Sequence, residues 1–168
     1  ARAALGLGAQ VMVFDTSTYK LNRLQNDVGA RLKTCTIQPQ VLANALADAD
    51  VAIGAVRARE GITPCIVTEE MVQNMKKGAV IVDVSIDQGG CFETSRATSY
   101  QDPTYEVDGV VHYCVANMPG GVARTATLAL TNATLPYVVR LANLGLDALR
   151  GDARFALGLN VHAGKLTH

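Results

Sequence analysis

At 168 residues, 49% of them hydrophobic and 18% charged, the chain is long enough for one ordinary domain with a real core, or for a domain plus a small appendage. Fifteen Lys and Arg balance fifteen Asp and Glu, which gives no electrostatic reason for nucleic acid or an anionic membrane as a partner and leaves a small molecule as the better fit. No stretch approaches the roughly 18 to 20 uninterrupted apolar residues of a membrane span, and Cys35, Cys65, Cys91 and Cys114 are widely spaced with no Cys-x-x-Cys pair, which speaks against zinc and for reduced thiols in the cytoplasm.

The chain opens without Met, in the middle of a helix, and Ala1–Leu7 reads as a helix end stopped by Gly8. The sequence is therefore expected to be a piece of something longer. Gln10–Asp15 follows as a short apolar strand ending in an acid, and Thr16, Ser17 and Thr18 offer capping hydroxyls to a helix from Tyr19 to Val28. In dinucleotide-binding units an acid at the end of the second strand accepts hydrogen bonds from the adenosine ribose, and its charge repels a 2′-phosphate. Asp15 in that role favours NAD over NADP; its other reading is a cap for the next helix.

Lys33–Gln38 is a β-rich run, and Pro39 opens a helix to about Ala49 with a preset φ at the first turn. Asp50–Val56 is a strand of small apolar residues, as in strands covered by helices on both faces. A charged loop, Arg57 to Thr63, follows it. Thr68 stands at an N-cap position, Glu69 and Glu70 sit in the first turn, and Met71, Val72 and Met75 form one apolar face before Lys76, Lys77 and Gly78 end the helix.

Ile81–Gly90 is the most informative stretch. An apolar run breaks into two acids and two glycines, so a buried strand hands its last residues to a loop, and in open α/β sheets ligands bind at those strand ends. Asp83, on the strand, is the more structural acid. Asp87, in the loop, is the candidate for chemistry, against the plainer reading of Asp87–Gly90 as a polar turn. The segment from there to Asp108 reads as polar and turn-rich. A further strand is centred on Val110 to Val115, with His112 inside it as a packed or hydrogen-bonded residue. Asn117–Gly121 places a proline and two glycines before a helix from Val122 to Asn132, and Thr134 and Pro136 start another that Gly145 stops. Its apolar stripe is Leu135, Val138, Val139 and Leu144. The remainder, Asp147 to His168, is a mixed helical and loop tail.

Five strands alternating with helices make an α/β fold with a doubly wound parallel sheet of the Rossmann type. It lacks a first strand and a Gly-x-Gly-x-x-Gly turn, which are expected just before Ala1.

Three runs carry a family resemblance: Asp83-Val-Ser-Ile-Asp-Gln-Gly-Gly-Cys-Phe-Glu93, His112-Tyr-Cys-Val-Ala-Asn-Met-Pro-Gly120 and Leu130-Thr-Asn-Ala-Thr-Leu-Pro-Tyr137. They resemble the bacterial L-alanine dehydrogenases, over essentially the whole chain. The first two are shared with the related transhydrogenase α subunits, whose NAD-binding domain is coupled to a proton-translocating membrane subunit; the third looks more like alanine dehydrogenase. The resemblance implies an NAD-binding domain over residues 1–121 and a helical return toward a substrate domain over 122–168. It also implies reversible oxidative deamination of L-alanine to pyruvate and ammonium by a homo-oligomer, commonly a hexamer, with the catalytic lysine and histidine of the family upstream of Ala1.

Residue by residue, Asp15 matches the ribose-binding acid, and Lys20 stands where the family carries a basic residue near the adenosine. Val56 and Arg57 match the loop over the adenine side. Val84, Ser85, Ile86 and Asp87 match the segment under the nicotinamide ribose, with Asp87 the family's catalytic aspartate. Arg96 matches a cofactor-contacting arginine, and Val115, Ala116, Asn117 and Met118 match the loop at the nicotinamide end; on spacing alone, that loop is equally a strand-to-helix connector. No metal site is expected.

Overall fold

The structure is a computed structural model that describes residues 1–29, 32–57 and 61–167; residues 58–60 of the charged loop and His168 lie outside the described residues. It divides into two compact units, Ala1–Ala116 and Asn117–His168.

In the first unit, helix α1 (Arg2–Gly6) precedes strand β1 (Val11–Asp15), helix α2 (Thr18–Val28) and strand β2 (Leu32–Thr36), and β1 and β2 pair in parallel. Ser17 caps α2 by accepting from the Lys20 amide at 3.4 Å. Helix α3 (Pro39–Asp48) starts on its proline and leads to strand β3 (Val51–Gly54). Helix α4 (Glu69–Gln73) is capped by Thr68, whose hydroxyl accepts from the Met71 amide. Strands β4 (Val80–Asp83), β5 (Thr104–Val107) and β6 (Val110–Tyr113) complete a four-stranded sheet of order β3-β4-β6-β5. Parallel pairs β3–β4 and β4–β6 form its body, and β5 adds an antiparallel edge.

Three expectations are corrected. The segment before Asp108 contains strand β5, not turns alone. Its signal was the Asp108-Gly109 pair: both residues adopt positive φ, 53° and 78°, the backbone that a two-residue hairpin demands. The two helices expected after Gly121 are one helix in the second unit, α5 (Ala123–Leu144), with Pro136 inside it. A proline removes one intrahelical bond, to the carbonyl of Asn132, and turns flanking it on both sides outweigh that single loss. Lastly, β3 is covered on one face only: Ala52 and Gly54 are buried, whereas Val51 and Ile53 are 54% and 65% exposed. The rest of the second unit holds a short helix α6 (Ala153–Ala156), capped by Asp152, and a hairpin of β7 (Val161–His162) and β8 (Lys165–Leu166).

The core of the first unit gathers Leu42 and Leu46 from α3, Val72 and Met75 from the α4 region, Ile81 from β4, Val110 from β6 and Phe92 from the loop between β4 and β5. Met71, Val72 and Met75 thus serve as core stripe. All four cysteines are free thiols. No described helix is long and apolar enough to cross a membrane, and no described group of three or more His, Cys, Asp and Glu side chains could hold a metal ion.

His112 is fully buried on β6, inside the strand where packing was expected. Its Nδ1 lies 2.9 Å from the Val110 carbonyl, which can only accept, so Nδ1 carries the proton and Nε2 accepts from the Thr94 hydroxyl at 2.8 Å. Burial, with help from the Arg96 charge and against the hydrogen bond to the Val110 carbonyl and the Asp83 charge, holds its imidazole below the ordinary value of 6.5. The unfolded chain therefore binds this proton more readily, so the His112 contribution is fully present above about pH 6.5 and is lost as the pH falls below it. Urea midpoints of the full-length protein should drop between pH 7 and 5, and His112→Gln should flatten that slope; an identical slope in the variant would assign it to other groups.

Candidate functional site at the strand ends

The carboxyl ends of β3 and β4 open into a crevice of about 240 Å³ lined by Ala55, Val56, Arg57, Val84, Ser85, Asp87 and Gln88. Five of the residues expected at the cofactor thus meet in one place. Ala55 and Gln88 join them; Gln88, beside Asp87 in the same turn, was legible as a neighbour but had no chemical signal of its own.

The crevice is shaped by Asp83. At the end of β4 this carboxylate is fully buried, and its Oδ1 accepts from the Ser85 amide at 2.9 Å. Oδ2 accepts from the Cys91 amide at 2.8 Å and from the Ser95 hydroxyl at 2.7 Å. One side chain therefore ties both ends of the loop back to the strand. The Cys91 thiol lies 3.7 Å from Oδ1; burial first, then the Asp83 charge, push it up to about 12, which keeps it a neutral thiol. Ser85 stitches the two strand ends together, its hydroxyl donating to the Val56 carbonyl at 2.8 Å while the Val84 amide donates to Gly54 at 2.8 Å.

Two glycines let the chain come this close. A Cβ at Gly54 would meet the Phe92 ring at 2.6 Å, and one at Gly90, where φ is +80°, would lie 2.8 Å from Asp83 Oδ2. Between them, Ile86–Gln88 forms a single 3₁₀ turn, closed by the Gln88 amide donating to the Ser85 carbonyl at 2.9 Å. The turn buries Ile86 and leaves Asp87 exposed at the crevice. Ile86 thus anchors the turn on its core side and is not among the lining residues.

The other expected residues stand outside this crevice. Asp15, half-buried at the end of β1, accepts from the Ser17 amide through Oδ1 at 2.8 Å, and its Oδ2 lies 3.9 Å from Lys20 Nζ. One oxygen thus serves the turn into α2, and the other is turned to the lysine. Arg96 is exposed and lies against Tyr105, with its guanidinium carbon 3.9 Å from the ring centroid. Val115 and Ala116 follow β6: Val115 is buried, and the Ala116 amide donates to the Thr98 carbonyl at 3.2 Å. In the second unit, Asn117 takes a left-handed conformation, φ +54°, which Asn tolerates better than most residues. It starts the 3₁₀ segment Met118–Val122.

Parallel α/β strand pairs, a small crevice at the carboxyl ends of β3 and β4, and an acid at the end of β1 define a ligand-binding domain of the dinucleotide-fold class. The chain belongs to the family described as alanine dehydrogenase/PNT, C-terminal domain, which matches residues 1–168. It is 56% identical to an alanine dehydrogenase of Halomonas elongata over 169 residues, covering 100% of this chain and 46% of that protein. It is 48% identical to an alanine dehydrogenase of Mycolicibacterium smegmatis, covering 99% of this chain and 45% of that protein. A solved L-alanine dehydrogenase superposes with a TM-score of 0.90 at 51% identity, over 99% of this chain and 46% of that one. A transhydrogenase from Sinorhizobium meliloti gives a TM-score of 0.78 at 24% identity, over 98% of this chain and 47% of that one, a likeness of fold alone. The chain therefore spans about half the length of the curated relatives it matches.

Proposed function

We propose that this chain carries the cofactor half of an NAD-dependent L-alanine dehydrogenase that interconverts L-alanine with pyruvate and ammonium. The observation that carries the reading is the crevice at the ends of β3 and β4, assembled from residues that match the family's cofactor segments, in a chain 56% identical to a protein named alanine dehydrogenase. The residues fit a dinucleotide. The crevice is small and mixed in polarity, and Asp15 presents an acid at the end of β1.

In this reading Asp15 and Lys20 hold the adenosine end, and Val56 and Arg57 lie over the adenine side. Val84, Ser85, Ile86 and Asp87 support the nicotinamide ribose, Arg96 contacts the cofactor, and Val115, Ala116, Asn117 and Met118 serve the nicotinamide end. When bound, NAD+ supplies the hydride acceptor for the alanine Cα. The imine left on the substrate takes up water and releases ammonium and pyruvate, and Asp87 relays protons for the water and amine steps. Substrate-binding groups, including a lysine and a histidine, are assigned to the remainder of the parent protein.

The enzyme is read as a cytoplasmic homo-oligomer, a hexamer by resemblance. Leu135, Val138, Val139 and Leu144 on α5, which stay 47–57% exposed, are the place to look for a subunit contact. The alternative, an NAD-binding module of a proton-translocating transhydrogenase, shares the family description alanine dehydrogenase/PNT, but the relatives at 48–56% identity are named alanine dehydrogenase and the transhydrogenase match is one of fold at 24%. Alanine-dependent NADH production by the full-length protein is the test, with glycine and serine as competing substrates. Activity with alanine well above both is expected, and none with any of the three would overturn the reading.

A further inference from the structure

Arg96 is built into a stack that the family match does not account for. Its guanidinium lies over the Tyr105 ring at 3.9 Å, and none of the ion pairs among the described residues includes it. Tyr105, on β5, is directly opposite His112 on β6, and the two rings stack with centroids 4.9 Å apart and planes 21° from parallel. His112 is fixed at both nitrogens, to the Val110 carbonyl and the Thr94 hydroxyl. The Tyr105 hydroxyl closes the arrangement on the backbone side, donating to the Thr94 carbonyl at 2.8 Å and accepting from the Arg96 amide at 2.7 Å. One phenol thus grips Arg96 twice, by its amide and by its cationic head.

A flexible arginine reaching for a ligand loses rotamer freedom on binding; one already laid on an aromatic face has lost part of it beforehand. The choice of Arg over Lys suits this use, since a planar guanidinium both stacks on a ring and keeps its edge N–H groups available. We propose that Tyr105 is a positioning residue that presents Arg96 to the bound dinucleotide, with His112 and Thr94 as its footing. This rests on the reading of Arg96 as a cofactor contact and adds to it the group that sets its geometry.

The test is a double-mutant cycle on NADH dissociation constants, measured by fluorescence titration of the full-length protein. Arg96→Ala should weaken NADH about tenfold or more, and Tyr105→Leu about three- to tenfold. In the Arg96→Ala background Tyr105→Leu should cost nothing further, because its effect is transmitted through the arginine. Tyr105→Phe, which keeps the ring, should recover most of the loss and gives the same cycle on a smaller scale should the leucine variant fold poorly. An equal loss from the Tyr105 variants in both backgrounds would make the residue merely structural and overturn the proposal. If Arg96→Ala leaves NADH binding unchanged, the cofactor role of Arg96 falls, and the proposal with it. If Arg96→Ala weakens binding and no Tyr105 variant does, the proposal alone falls.

Discussion

Asp83→Ala should destabilise the full-length protein by about 3–5 kcal/mol, among the larger effects open to a single substitution here. The carboxylate is fully buried and serves the amides of Ser85 and Cys91 and the hydroxyl of Ser95. Removing it strands two buried backbone N–H groups and a hydroxyl, and each unmet donor costs roughly 1–3 kcal/mol. Water entering the space left by the side chain offsets part of that sum. Asp83→Asn should rescue little. Whichever way the amide is turned, its NH2 replaces an oxygen that now accepts from a backbone N–H, setting donor against donor. Urea unfolding monitored by circular dichroism reads both variants. A loss under 1 kcal/mol in Asp83→Ala would show that the loop from Ser85 to Ser95 is held by other contacts.

Asp83 also shows how much of the site could be read before any coordinates. The strand, its exit into a loop and the division of labour between the two acids follow from an apolar run ended by Asp and Gly, because alternation and turn chemistry are local properties. What could not be read is the partner list. Cys91 and Ser95 meet Asp83 only because the chain folds back across Gly54, and Val56 receives the Ser85 hydroxyl from another strand. These contacts are set by the sheet. Strand β5 is hard to read for a different reason: Asp102-Pro103 marks a break, and the Asp-Gly hairpin signal lies five residues beyond that proline. Helix α5 was split because Pro136 is a strong local stop, and a local rule cannot weigh it against helix on both sides. The exposed face of β3 marks the same limit from the other side. Small apolar residues announce a strand made to be covered, but the sequence does not say whether the cover belongs to this chain.

Asp87→Asn should lower turnover with L-alanine by roughly 10²- to 10⁴-fold and change NADH affinity by no more than about threefold. The two expectations separate because of where the residue sits. Asp87 is the middle residue of the 3₁₀ turn Ile86–Gln88, whose backbone is closed by bonds from the Gln88 and Gly90 amides to the Ser85 carbonyl and anchored by buried Ile86. None of those contacts involves the Asp87 carboxylate. A near-isosteric amide should therefore leave the turn, and the crevice wall it forms with Val84, Ser85 and Gln88, in place. The variant loses the capacity to take up and return a proton, which in the proposed reaction serves water addition to the imine and ammonium release. If Asp87 relays the protons of the proposed deamination, its loss should appear in kcat and not in cofactor binding. Asp87→Glu, which restores an acid one methylene further out, should recover part of the rate. Stopped-flow NADH formation at saturating alanine, paired with NADH titration of the same variants, decides the matter. An unchanged kcat in Asp87→Asn would remove this carboxylate from the chemistry and leave it as a surface residue of the turn.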